Sequence, residues 1–263
     1  LALLLYGDLE VSRIDQLPPG RKPVQTKLVP PSKAKDMYAF IRDQANAGRQ
    51  AYIVCPLVEE NEDLPGVPGA VQLYRRLQKA FPSVRFGLLH GQQPPKEKEA
   101  VAAAFRAGDI QVLVSTTVIE VGVDVPNATV MAIEHADRFG LAQLHQLRGR
   151  VGRGEHAAYC FLLCGPDPGD AAIARLHMLT STQDGFAIAE ADLAQRGPGD
   201  FLGTRQHGLS AFTAASLAAD VGILQQVQEA AQALLDDPSP ESQPLLQLAQ
   251  ARLAALAEEV VGN

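Results

Sequence analysis

No apolar run in this chain approaches the roughly 20 residues that a membrane-spanning helix needs, so a membrane role is not expected. The opening "LALLL" is far too short, and no basic stretch precedes it as in a signal peptide. The chain begins at Leu1 with no initiator methionine, as expected of a processed or excised piece of something longer. Cysteine is scarce. Cys55, Cys160 and Cys164 show no CxxC spacing and cannot all pair. The run "YCFLLC" around the last two reads as a buried strand, so reduced core thiols of a cytoplasmic protein are expected. No HxH or HxxxH pair with carboxylates accompanies them, and no metal site is expected.

Two further absences concern nucleotides. No G-x-x-x-x-G-K-[ST] phosphate loop occurs, and no apolar strand ends in paired acids to hold Mg²⁺. The glycines of "RGRVGRG" do not match G-x-G-x-x-G and open no βαβ unit, so a dinucleotide fingerprint is unsupported.

What is present is an ordinary globular composition over 263 residues, 46% hydrophobic and 20% charged. That length holds one large domain or two small ones. The formal charge of −7 argues superficially against nucleic acid, but its distribution does not. From Asp220 onward there are seven acids and one base, leaving 23 acids against 22 bases in the first 219 residues. Local clustering decides polyanion binding, and the acidic excess belongs to the tail.

A proline-rich segment, 15–32, holds one short alternating strand candidate and reads as a connector entering a domain. Beyond it, apolar runs at 50–57, 84–91, 110–116, 128–135 and 158–165 alternate with amphipathic stretches at 32–49, 69–81 and 94–109. Short continuous apolar strands punctuated by helices predict an α/β fold, a parallel sheet with helices on both faces. Such sheets place functional loops at the carboxyl ends of their strands, where His90, Thr116 and Asp124 are expected. After Pro166 two short helices joined near Asp184-Gly185 read as a helical hairpin, followed by the Gly-rich loop "GPGDFLGTRQHG". Residues 213–263 read as two further helices split by "DDPSPES".

The stretch "GLAQLHQLRGRVGRG", 140–154, packs three arginines and a histidine among four glycines. Gln146, Gly149, Arg150 and Arg153 stand at i, i+3, i+4 and i+7, one stripe if the segment is helical. Arginine presents a planar fork of donors to phosphate oxygens, and a pair can stabilise charge on a transferring phosphoryl group. Taken alone, the stripe is slightly better explained as a solvated basic helix face. Thr116 and Thr117 sit where a helix could begin, its N–H groups free to meet a phosphate, and Asp124 suits a sugar hydroxyl or a nearby arginine. An N-capping threonine and a turn aspartate explain the same residues. His90-Gly91 closes a strand before two prolines that prepare a helix start, and a backbone-contacting or structural histidine is expected there.

The long stretch "STTVIEVGVDVPNATVMAIEHADRFGLAQLHQLRGRVGR" resembles motifs V and VI of superfamily-2 helicases. It is especially similar to the group that holds the RecG helicases and the bacterial transcription-repair coupling factor. "LAQRGPGDFLGTRQHG", 193–208, resembles the translocation motif of both, and its wording, with "LPPGRKPV" near the start, is RecG-like. The resemblance covers about residues 1–212. It implies a RecA-like second helicase domain over 23–168, entered by a connector over 1–22 from a first domain that lies outside this sequence. A hairpin and translocation loop would span 169–212, and a C-terminal helical segment 213–263.

By this resemblance Gln146, Arg150 and Arg153 face the γ-phosphate of ATP, with the arginines as fingers. Gly122 and Asp124 lie by the nucleotide edge, and Thr116 with His90 and Gly91 touches the DNA backbone. Arg175, Arg196, Arg205 and Gln206 are implicated in coupling ATP turnover to translocation. The implied activity is an ATP-dependent DNA helicase of the cytoplasm that remodels stalled forks and Holliday junctions. Its cofactor is ATP with Mg²⁺, held with the first helicase domain, and the chain alone is expected to be inactive. Its partners are branched or double-stranded DNA and the N-terminal helicase and wedge domains of the same protein. The alternatives are a coupling-factor translocase acting on RNA polymerase, or a non-enzymatic RecA-like interaction module.

Overall fold

The computed structural model describes residues 22–59, 69–116, 125–196, 221–236 and 243–251. The described residues between 22 and 192 form one compact unit, and the helix Val221–Asp236 belongs to a second.

Six strands form the sheet: β1 (Gln25–Val29), β2 (Gln50–Val54), β3 (Phe86–Leu89), β4 (Val112–Ser115), β5 (Ala128–Ile133) and β6 (Tyr159–Leu163). They lie in the order β1-β6-β5-β2-β4-β3, and every neighbouring pair is parallel. Parallel neighbours need crossovers, and four helices lie on the connections between strands: α1 (Ala34–Asn46), α2 (Ala70–Ala80), α3 (Pro95–Ala107) and α4 (Leu141–Arg148); α5 (Asp170–Ser181) and α6 (Gly185–Arg196) follow the last strand. The five apolar runs each hold one strand, and the strand candidate in the proline-rich segment is β1, an edge strand paired with β6.

Two hydrophobic cores lie on the two faces, sorted by the period of two along each strand. Ala51, Ile53, Val112, Val114, Val130 and Ala132 face one way, against Met37, Tyr38, Ile41 and Ala45 of α1 and Leu73 and Leu77 of α2. Tyr52, Val54, Leu113, Met131, Ile133 and Leu162 face the other, against Phe105 of α3, Leu141, Leu144 and Leu147 of α4, and Leu176 and Leu179 of α5. The middle strands are therefore buried on both faces, which is why they read as unbroken apolar runs. Tyr52 and Phe105 lock α3 onto the sheet with ring centroids 4.9 Å apart.

Local chemistry sets the boundaries. α3 starts after Pro94 with Pro95 in its first turn, where a missing N–H costs nothing. It ends on Gly108 at φ 83°, the left-handed cap that glycine adopts freely. Beyond the sheet unit, α7 (Val221–Asp236) and a helical stretch at 243–251 follow. No described helix is long and apolar enough to cross a membrane. Cys55, Cys160 and Cys164 are free and buried.

Candidate nucleotide and nucleic-acid sites

Among the described residues, His90, Gly91 and Thr116 fall at one end of the sheet, and Arg150 and Arg153 stand on a turn at the other. At the carboxyl end, Leu89 closes β3 and pairs in register with Ser115, which closes β4. His90 and Thr116 follow as neighbours, and the Thr116 N–H donates to the Leu89 carbonyl at 3.2 Å. Thr116 is buried, His90 half-buried and Gly91 exposed. Among the described residues the buried His90 Nδ1 has no hydrogen-bond partner. Placed side by side, these residues bring one exposed glycine main chain and one hydroxyl to a sheet end.

The arginines lie elsewhere. α4 starts beyond the carboxyl end of β5 and stops at Arg148, so Gln146, Arg150 and Arg153 do not form one helical stripe. Gln146 is on α4 and exposed; Arg150 and Arg153 stand on a turn beyond it, half-buried and exposed respectively. The reason is glycine. Gly149 caps α4, the Arg150 N–H still reaches the Leu147 carbonyl at 3.0 Å, and Gly152 then breaks away at φ 76°. Arg153 turns back, its Nε 3.4 Å from the Gly149 carbonyl.

This turn is pressed against the amino end of the sheet. A Cβ on Gly152 would lie 3.1 Å from both Ala158 Cβ and Val24 Cγ2, and one on Gly154 only 2.6 Å from the Pro126 carbonyl oxygen. Val24, Pro126 and Ala158 each precede a strand, β1, β5 and β6 in turn. The expected placement at carboxyl ends therefore holds for His90 and Thr116, Asp124 lies outside the described residues, and the arginine turn, for which no such placement was expected, lies at the amino ends. The six residues of β5, at about 3.3 Å each, set roughly 20 Å between the two ends. Guanidiniums suit phosphate oxygens and do not suit a divalent cation. Among the described residues, no group of three His, Cys, Asp or Glu side chains could hold a metal.

Arg148, the remaining arginine of the stretch, faces inward. It is 4% exposed, and its Nη1 donates to the Leu179 and Thr182 carbonyls, each at 2.8 Å. Its Nη2 lies 3.0 Å from His145 Nδ1. The last carbonyls of α5 have no helical partner, and this guanidinium supplies one. Motif reading did not separate Arg148 from its neighbours, although its phase with Leu141 and Leu144 is the buried one. On the far side of His145, a Cβ on Gly185 would sit 3.2 Å from Nε2, so α6 begins directly against α4.

Arg175 lies on α5, where its Nη2 donates to the Asp137 carbonyl at 3.0 Å. Asp137 Oδ1 accepts from the Gly165 N–H at 2.7 Å, tying the turn after β5 to the end of β6. Arg196 is the last residue of α6. Gly122, Asp124, Arg205 and Gln206 lie outside the described residues.

Sequence reading also missed a buried polar cluster between β2, β5 and α1. Glu134, 2% exposed, accepts a 2.5 Å hydrogen bond from the Tyr38 hydroxyl. Burial pushes its carboxyl up, against the opposing effects of the Tyr38 bond and the Arg76 charge. Next to it His135 occupies the left-handed region at φ 47°, ψ 51°, and burial lowers its imidazole against the pull of Asp137.

Comparison with known proteins matches this geometry to a family. The helicase conserved C-terminal domain matches residues 32–155, and the C-terminal part of domain 3 of the ATP-dependent DNA helicase RecG matches 182–262. The second match extends the likeness through the tail, which the motifs left unassigned, and it favours RecG over the coupling factor. The chain is 50% identical to the ATP-dependent DNA helicase RecG of Synechocystis sp., over 100% of this chain and 31% of that protein. It is 53% identical to the RecG of Thermotoga maritima, over 87% of this chain and 29% of that protein. A solved structure of RecG bound to a three-way DNA junction superposes with a TM-score of 0.66 at 51% identity, covering 85% of this chain and 28% of that one. The chain thus spans about a third of the length of the relatives it matches. It belongs to the RecG family of superfamily-2 DNA helicases, as its C-terminal helicase part.

Proposed function

We propose that this chain is the second jaw of an ATP-dependent DNA translocase that remodels branched DNA, stalled forks and Holliday junctions, in the cytoplasm. The observation that carries the reading is the arginine turn. Arg150 and Arg153 stand on a segment whose glycines fit against the starts of three strands, so two guanidiniums are held on a fixed backbone. A bound nucleoside triphosphate, brought with Mg²⁺ by the preceding helicase domain, supplies the phosphoryl group on which negative charge develops. Arg150 and Arg153 act as fingers toward that charge, and Gln146 orients beside them. At the other end of the sheet, Thr116, His90 and Gly91 contact the DNA backbone without reading sequence. Gly122 and Asp124 complete the nucleotide edge, and Arg175, Arg196, Arg205 and Gln206 belong to the element that turns domain closure into movement along the duplex.

The test uses two proteins. The full-length protein is expected to hydrolyse ATP with branched DNA and to unwind a synthetic fork, whereas the purified chain alone shows negligible hydrolysis and weak, salt-sensitive DNA binding. Robust Mg²⁺-dependent hydrolysis by the chain alone would overturn the assignment of half a site to it.

A further inference from the structure

β3 is an edge strand, and its free side needs partners. The carbonyls of Arg85 and Leu89 bond toward β4, accepting from Gln111, Val112 and Thr116. Alternation therefore turns the Leu88 carbonyl and the His90 N–H to the open edge. Both are taken by one side chain. Gln93 Oε1 accepts from the His90 N–H at 2.9 Å, and Gln93 Nε2 donates to the Leu88 carbonyl at 3.3 Å. The Gln93 main-chain N–H also donates to the His90 carbonyl at 3.2 Å. A carboxamide carries one acceptor and two donors, so it reproduces one rung of a missing neighbouring strand at the point where β3 ends.

We infer that Gln93 is a positioning residue for DNA: its carboxamide extends the order of β3 by one residue and fixes His90 and Gly91 beside Thr116 for contact with the DNA backbone. This rests on the reading of His90, Gly91 and Thr116 as backbone contacts. Exposed Gly91 follows immediately, and without the clamp the turn from His90 to Gln93 keeps only one of its three hydrogen bonds. Binding must then order this turn, and that cost falls on DNA affinity rather than on the phosphoryl-transfer end of the sheet.

The test is Gln93→Leu and Gln93→Glu in the full-length protein, read by amide hydrogen exchange at His90 and by DNA-stimulated ATP hydrolysis on a synthetic fork. Gln93→Leu removes acceptor and donor at similar size. It is expected to speed exchange at His90 about ten-fold and to raise the DNA concentration for half-maximal stimulation about five-fold, with the rate at saturating DNA held. Gln93→Glu keeps the acceptor, so His90 stays protected. An unchanged half-maximal concentration in Gln93→Leu overturns the clamp if His90→Ala and Thr116→Ala still weaken DNA binding. If those two variants also leave DNA binding unchanged, the contact reading itself fails, and the clamp with it.

Discussion

Arg148 closes the end of α5 by donating to the Leu179 carbonyl at 2.8 Å, from 31 positions away in sequence. The same nitrogen serves Thr182, one residue past the helix. A buried cation that satisfies two orphan carbonyls cannot be removed without leaving at least the Leu179 carbonyl unpaired in a buried place. Arg148→Ala is therefore expected to cost about 3 kcal/mol in urea unfolding of the chain. Arg150→Ala, two residues on and half-buried, is expected to stay within about 0.5 kcal/mol of the parent. Equal losses in the two variants would show that Arg148 is not the bolt described.

Gly152 and Gly108 separate backbone strain from close approach. Both sit in the left-handed region, at φ 76° and 83°, so alanine is strained at each. A Cβ at Gly108 meets nothing within 4 Å, whereas one at Gly152 meets Ala158 and Val24 at 3.1 Å. Gly108→Ala should cost about 1 kcal/mol in urea unfolding, the strain alone. Gly152→Ala should cost roughly 2 to 3 kcal/mol, because strand starts must yield as well. The same variant displaces the arginine turn, so the full-length protein should lose ATP turnover. Retained turnover would show that the glycine spacing serves the fold alone.

The separation of the two sites along the sheet predicts separable kinetic losses. In the full-length protein, Arg150→Ala and Arg153→Ala should each lower the DNA-saturated hydrolysis rate by about 10³, as loss of an arginine finger does. The half-maximal DNA concentration should hold. Thr116→Ala should raise that concentration several-fold with a smaller effect on the saturated rate. Steady-state hydrolysis titrated with forked DNA reads both quantities. Coinciding patterns would contradict two ends with two tasks.

How much of this was legible beforehand depends on the kind of order involved. The strands were legible because burial on both faces writes itself as a continuous apolar run, and α3 because Pro95 and Gly108 bracket it. Spacing alone put Gln146, Arg150 and Arg153 on one helix face, since period arithmetic continues through glycine while a helix need not. Gly149 and Gly152 held the contrary signal. Arg148 was readable from its phase with Leu141 and Leu144, but arginine is so often exposed that its buried phase went unused. Glu134 with Tyr38, and Gln93 with Leu88, were not readable. The first joins residues 96 apart, and the second depends on which strand lies at the sheet edge.

Glu134 and His135 give the fold a pH dependence with two opposed arms. Burial raises the Glu134 carboxyl from an ordinary value of 4.5, so the folded chain holds that proton more tightly than the unfolded chain. Its contribution is complete below pH 4.5 and is lost as pH rises through the folded value. Burial lowers the His135 imidazole from 6.5, so the unfolded chain takes up that proton first. That contribution is complete above pH 6.5 and is lost as pH falls through the folded value. Glu134→Gln keeps the size and an acceptor for Tyr38 but has no proton to release. Its stability relative to the parent should rise as pH increases from 4.5, with a slope of up to about 1.4 kcal/mol per pH unit until the parent carboxyl has ionised. Urea unfolding of parent and variant at half-unit steps from pH 4.5 to 8 reads the difference directly. In that difference the His135 arm cancels, because both proteins retain it. Parallel profiles across the range would mean that Glu134 titrates alike in the folded and unfolded chain, and that the Tyr38 bond and the Arg76 charge fully offset its burial.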